Sequence, residues 1–327
     1  NVLVTAAIIL LYLSFIPIYS DGQGFNGFPF YYSIGRELDY VFLANLVASA
    51  VVLLILLPEL FSLRLRLNQK LVKKMLTYSA PLILVGVAGA INQVFDRVFV
   101  SKLLLSTDAI ETAGAYNGAA KVAVIMSLFA TAFNYAAEPF FFKKFDEKNS
   151  TELYAYVLKA FTITGLIVFM SITLFLDQAM YLIGAEYRTV RNIVPILLFA
   201  YLFLGIYYNV SIWYKLKDKT YIGAIIALSG ALVTITANVI LIPKLGYIGA
   251  AWSALVCYVV MVILAIITGR KNLKIPYDFL GLIIYIGMAL AIVFLGLNYA
   301  THPILKLFLL LLFIGYAIIK DRQLLKI

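Results

Sequence analysis

The chain has 327 residues, 64% of them hydrophobic and only 13% charged, and carries a formal net charge of +10. Soluble globular domains are roughly 45–50% apolar, so this composition excludes water as the solvent for most of the surface. In a membrane protein the position of each Lys and Arg then says more than their sum.

Ten apolar stretches follow in chain order, each near the ~20 residues that a helix needs to cross the hydrocarbon core. They run Val2 to Tyr19, Tyr40 to Phe61, Thr77 to Val100, Gly114 to Phe142, Leu153 to Leu176, Ile193 to Tyr214, Tyr221 to Ile242, Tyr247 to Thr268, Tyr277 to Leu297 and Pro303 to Ile319. Helices are expected, because lipid offers no hydrogen bonds and only an internally bonded backbone is stable in it. The fold class expected is therefore an all-α polytopic membrane protein of about ten transmembrane helices. Between Thr220 and Arg270 the sole charged residue is Lys244, so "ANVILIPKLGYIGAAWSALVCY" reads as two spans joined by a very short turn.

Alternating the spans across a bilayer sorts the basic residues. Arg64, Arg66, Lys70, Lys73, Lys74, Lys143, Lys144, Lys148, Lys215, Lys217, Lys219, Arg270, Lys271, Lys274, Lys320, Arg322 and Lys326 fall on one side, against Arg36, Lys102, Arg188, Arg191 and Lys244 on the other. Arg97, Lys121, Lys159 and Lys306 lie within spans. The positive-inside rule puts the first group, and both chain ends, in the cytoplasm, and explains the basic surface without nucleic acid. The chain starts with Asn and has no basic leader before its first apolar run, so a preceding N-terminal part is expected.

Organisation follows from where polarity changes. Residues 1–61 hold two spans separated by "PIYSDGQGFNGFPFYYSIGRELD", a Gly-rich and aromatic loop suited to the headgroup zone. A basic linker, 62–76, leads to a six-helix unit, 77–270, and a terminal helix pair with its tail occupies 271–327.

Polar residues enter membrane depth on the third and fourth spans. At 100° per residue, Gly86, Gly89, Asn92, Gln93, Asp96 and Arg97 share one arc of the third. On the fourth, Asn117, Lys121, Ser127, Thr131, Asn134, Tyr135 and Glu138 share an arc, with Val122, Ile125, Met126, Phe129, Phe133 and Ala136 opposite, so the apolar arc is expected to face lipid. A charge at this depth costs roughly 2.5–3.5 kcal/mol on insertion scales, so Asp96, Arg97, Lys121 and Glu138 need partners or water. Interhelical ion pairs, snorkelling to the interfaces, or a hydrated passage would each meet that need. Lys159 is expected to snorkel and Asp177 to be solvated. Tyr201, Tyr207 and Tyr208 are read as lining a cavity or forming interfacial belts, Trp213 and Tyr214 as belts. With one histidine, His302, neither a His-based metal site nor a His triad can be assembled. The single Cys257 can form no internal disulfide. No GxxxxGK[ST] sequence occurs, so ATP is not expected as a bound energy source, and no cofactor is.

The segment "NVILIPKLGYIGAAWSALVCY" resembles the hairpin signature of Wzx-type polysaccharide flippases. Their superfamily, the multidrug/oligosaccharidyl-lipid/polysaccharide exporters, also contains the multidrug and toxin (MATE) extruders and the lipid II flippases. "TYSAPLILVGVAGAINQVFDRVFVSKLL" and "GAYNGAAKVAVIMSLFATAFNYAAEPFFFKK" resemble two further blocks of that family, with Pro81, Asp96, Arg97, Tyr116, Lys121, Glu138 and Pro139 in the matching context. The likeness extends over most of the chain from Lys73 onward. It implies a MATE-like plan of two six-helix lobes plus a terminal pair. The ten helices here would be its fifth to fourteenth, leaving an incomplete N-lobe, a six-helix C-lobe and the terminal pair. It also implies that Gly246, Gly249, Ala250 and Ala251 let the hairpin helices approach closely.

The resemblance implies transport of an undecaprenyl-diphosphate-linked oligosaccharide across a bacterial cytoplasmic membrane, for cell-surface polysaccharide or O-antigen of lipopolysaccharide. Membrane lipids and glycan polymerase or ligase machinery are the implied partners, with no nucleic acid. Alternating access would need a wet, cationic route between lobes. Arg97 and Lys121 are then candidate diphosphate contacts, Asn92, Asn117 and Asn134 candidate sugar contacts, and Asp96 and Glu138 ion-coupling or charge-balancing groups. A multidrug extruder of the same superfamily is the nearest alternative, and should favour buried carboxylates without matched cations. A membrane glycan polymerase or ligase is a second alternative, for which a large catalytic outer loop with basic residues would be expected.

Overall fold

The computed structural model describes residues 37–62, 68–104, 109–145, 147, 149–300 and 302–321. The predicted span from Val2 to Tyr19 lies outside the described residues. Among them the chain is all helical, with no strand. It divides into two compact units, residues 1–72 and 73–327. In the first, α1 spans Glu37–Ser62, with an apolar stretch Asn45–Glu59.

The remaining long helices are α2 Gln69–Leu103, α3 Ala109–Lys144, α4 Ser150–Leu174, α5 Ile193–Leu216, α6 Thr220–Leu245, α7 Tyr247–Asn272, α8 Phe279–Asn298 and α9 Pro303–Lys320, with three short helical turns between α4 and α5. All eight are long and apolar enough to cross a membrane. Several outrun their apolar spans: α3, at 36 residues, is ~54 Å long at 1.5 Å per residue, against a hydrocarbon core of ~30 Å. Hydropathy finds the part of a helix in lipid, and the helix continues into the interfaces.

Local chemistry sets the ends. Asn68 starts α2 by accepting bonds from the backbone N–H groups of Lys70 and Leu71 at 3.1 and 3.3 Å. Asp278 does the same for α8 through the Gly281 N–H at 2.9 Å. Pro303 opens α9 with its fixed φ and missing donor. The α6–α7 turn is a single residue, Gly246, at φ 62° and ψ −148°, a conformation that side chains disfavour. Pro243 and Lys244 therefore belong to the last turn of α6 and do not form a loop.

Chain alternation gathers Lys143, Lys144, Lys215, Lys217, Lys219, Arg270, Lys271, Lys274 and Lys320 at one end of the second unit, here the basic end. α5 is its central helix, touching α3, α4, α6 and α7. That position corrects the expectation for Trp213 and Tyr214. Both lie near a helix end, as belt residues do, but at 0% and 2% exposure they are inside the bundle. The Trp213 indole donates to the Ala265 carbonyl at 3.2 Å, because even the end of α5 is surrounded by neighbours. Lipid tails are as apolar as these side chains, so close fit and dispersion hold the helices together.

Candidate functional site

α2 lies against α6 along a polar seam. The Thr220 hydroxyl donates to the Tyr78 carbonyl at 3.2 Å, the Thr234 hydroxyl to Asn92 Oδ1 at 2.9 Å, and Asn238 Nδ2 to Asp96 Oδ1 at 3.1 Å. Each pair is separated by 142 residues. A constant offset from Tyr78 to Asp96, ~27 Å of helix, means that α2 and α6 run parallel and level. Asn92 and Asp96 are 2% and 5% exposed. Their buried polarity is answered mainly by α6 amide and hydroxyl groups, with the Asn92 amide also turned to Met261 sulfur at 3.7 Å. Asn238 Oδ1 is left without a partner. The α6 partners were not anticipated, although Thr234 and Asn238 repeat, four residues apart in an apolar helix, the spacing of Asn92 and Asp96.

Beside this seam is a hollow of about 400 Å³, lined by Gly86, Gly89, Asn92, Tyr207, Tyr208, Tyr258 and Met261 among others. Tyr207 and Tyr208 thus take the cavity alternative of the sequence reading. The buried hydroxyls of Tyr207 and Tyr258 have no hydrogen-bond partner, a state that native interiors rarely leave unanswered by protein or water. The polar arc predicted on α2 is divided: Asn92 and Asp96 turn to α6, whereas Arg97 is partly buried and has no ion pair among the described residues.

α3 divides one expectation. Its apolar arc is only partly outward, with Ile125 and Ala136 exposed and the rest turned into the bundle. Val122 and Met126 are buried, and Phe129 and Phe133 meet Phe161 of α4 with ring centroids 5.4 and 4.9 Å apart. The exposed stripe of α3 is mixed: Lys121 and Tyr135 share it with Ile125, Leu128, Ala132 and Phe142, while Asn117, Ser127, Thr131, Asn134 and Glu138 are partly buried. Lys121 lies ~18 Å below the start of α3, and Arg97 ~9 Å from the end of α2, both measured from the end opposite the basic one. Lys121 also has no ion pair among the described residues.

Glu138 does have one. Its carboxylate accepts from Lys215 of α5 at 2.7 and 2.8 Å. This pair reduces the unmatched charge at depth to Arg97 and Lys121 against Asp96. Lys159 is a second correction: it does not snorkel into solvent but sits between two acids of the terminal helices, 2.6 Å from Asp321 and 3.3 Å from Asp278. Asp177 remains exposed, as expected, and pairs with Arg191 at 2.5 Å. Among the described residues no cluster of three or more His, Cys, Asp or Glu side chains is arranged to hold a metal.

The second unit is thus a helical body with membrane-spanning lengths, a lysine on a mixed outer face of α3, a polar interior seam and a hollow beside that seam. Residues 4–145 match the family model described as polysaccharide biosynthesis protein. The fold is similar to that of the Vibrio cholerae MATE transporter VcmN in its bent form, with a TM-score of 0.56 at 14% identity, covering 69% of this chain and 54% of that one. An outward-facing multidrug resistance MATE family transporter of the MOP superfamily aligns with a TM-score of 0.46 and 15% identity, over 62% of this chain and 45% of that one. The chain spans about half the length of the solved transporters it matches. No curated protein sequence matches it. The family match includes the two quoted blocks up to residue 145 and not the hairpin block, and the VcmN likeness is one of fold.

Proposed function

We propose that the chain moves an undecaprenyl-diphosphate-linked oligosaccharide from the inner to the outer leaflet of a bacterial cytoplasmic membrane by alternating access. Its basic end and both chain ends face the cytoplasm. The observation that carries this reading is the outer face of α3. A lysine exposed on a helix at membrane depth and without an ion pair among the described residues is costly against lipid, and a face that borders water removes that cost. Lys121 and Arg97, at staggered depths and without ion pairs among the described residues, suit an anionic diphosphate that slides from one to the other.

Asn117 and Asn134 offer amides to sugar hydroxyls along the same helix. Asn92 serves the hollow beside the seam. Asp96 is the ion-coupling group, held by Asn238, and Glu138 balances Lys215 at the cytoplasmic mouth. The arrangement favours an anionic cargo over the cationic drugs of an extruder, because the unmatched charge is net positive. The residues 1–61, 77–270 and 271–327 then act as N-lobe part, C-lobe and terminal pair.

A charge-assisted contact removed from the route should lower transport about ten-fold or more. Lys121→Ala is therefore expected to reduce surface glycan in complemented cells by that factor at unchanged protein abundance, with Lys121→Arg retaining most of it. Full glycan export by Lys121→Ala would refute the diphosphate role, and drug efflux by the wild type would favour the extruder.

A further inference from the structure

At the end opposite the basic one, a second hollow of about 550 Å³ is lined by Glu111 and Thr112 of α3, Glu186, Tyr187 and Thr189 of the 3₁₀ helix Ala185–Val190, and Tyr247 of α7. This is within the usual range for small-molecule sites, ~300–1,000 Å³. No Lys or Arg lines it. Glu111 and Glu186 are exposed and take part in no ion pair among the described residues. Parts of the wall are fixed. The Tyr187 ring lies over Gly118, where no Cβ would fit, and the Tyr247 hydroxyl accepts from Asn192 at 3.3 Å. Nothing lies within 4 Å of where a Gly114 side chain would begin, so the floor is open.

We propose that this hollow is a saccharide site on the outer face, an inference that rests on the transport reading above. Carboxylates are acceptor-only groups that can each take several hydroxyl donors. Threonine hydroxyls both donate and accept, and tyrosine rings present flat apolar faces to sugar C–H groups. With two acids and no cation, the lining repels phosphate as it receives neutral sugars. The field therefore sorts the two parts of a glycan diphosphate. The leading sugars are held outside while the diphosphate is turned away into the outer leaflet, opposite in sign to the basic entry side.

The test uses the full-length protein in lipid nanodiscs, a microarray of soluble oligosaccharides as probe, and inorganic pyrophosphate as competitor. Saturable binding to array saccharides is expected, insensitive to pyrophosphate. It should weaken by about ten-fold in Glu111→Ala/Glu186→Ala, a loss of about 1.4 kcal/mol, and by less in Glu111→Gln/Glu186→Gln, which keeps acceptors. Tyr247→Ala gives a second variant that leaves the acids in place and should also weaken binding. Absence of binding to any array saccharide, or binding unchanged in all three variants, overturns the site. Flipping of a lipid-linked glycan by the wild type, measured in vesicles in parallel, separates the two ideas. Flipping without array binding removes this site alone, and array binding without flipping removes the transport reading.

Discussion

Lys159→Met is expected to loosen the terminal helix pair from the rest of the second unit. Lys159, 17% exposed, joins α4 to both terminal helices by bonding Asp278 before α8 and Asp321 after α9. The Tyr285 hydroxyl adds a bond to Asp321 at 2.6 Å, and Lys320 lies over the Tyr285 and Tyr316 rings at 5.4 Å. The strand-like link from α7 helps, since Leu273 and Ile275 pack against Phe141, Tyr154 and Leu216.

Removing the cation leaves Asp321, itself 17% exposed, without its charge partner, and for a part-buried pair this costs about 1–3 kcal/mol, between an exposed pair and a fully buried one. The lower end applies here because Asp278 is half exposed. Lys159→Met/Asp321→Asn should recover much of the loss, since uncompensated charge rather than lost contact dominates. Detergent unfolding followed by helicity checks both variants, and equal destabilisation of the single and the double variant would contradict the account.

The same experiment has a pH dependence of known sign. The Gly281 N–H, and then Lys159, hold the Asp278 carboxyl below the ordinary carboxylate range. A group lowered on folding stabilises above its unfolded pKa, and that contribution fades as pH falls through the folded value. The gap between wild type and Lys159→Met should therefore narrow in acid and be widest near neutrality.

Gly249→Val should prevent the α6–α7 hairpin from closing. A Cβ at Gly249 would collide with the carbonyl of Leu241 and stand 2.9 Å from the Ile242 nitrogen. These are backbone atoms of the facing helix, so no rotamer change relieves the contact and the helices must separate. Ala250 and Ala251, both 0% exposed, would lose their contacts with it. The cost should reach or exceed the upper part of the about 1–3 kcal/mol typical of overpacking. Folded yield in the membrane measures it. Gly287→Val is the control, since nothing lies near that position on α8, and the two variants behaving alike would argue against the hairpin geometry.

The helical class and eight of the spans were legible because lipid imposes one long apolar period per crossing. The hairpin was legible for a similar reason, since only small residues at Gly246 and Gly249 permit so short a turn. Partners across helices were not. Glu138 and Lys215 are far apart in sequence, as are Lys159 and Asp321, and nothing in either local pattern says which helix is the neighbour. The α3 faces were partly misassigned because periodicity separates a polar from an apolar arc but does not say which one the bundle covers. With α4 and α5 covering part of the apolar arc, the exposed stripe mixes Lys121 and Tyr135 with Ile125 and Leu128, which makes a Lys121 without an ion pair among the described residues more telling than its position alone suggested.

Water at that face is the most direct test. Cys257, the only cysteine, is fully buried and should stay silent toward a membrane-impermeant thiol reagent, which needs a hydrated thiolate. Cysteines placed singly at Asn117, Lys121, Leu128, Thr131 and Tyr135, in full-length protein in native membranes, are predicted to label. Those at Val122, Met126 and Ala130 are predicted to remain unlabelled. Labelling at neither Lys121 nor Leu128 would mean that this face meets lipid, and the hydrated route would be contradicted.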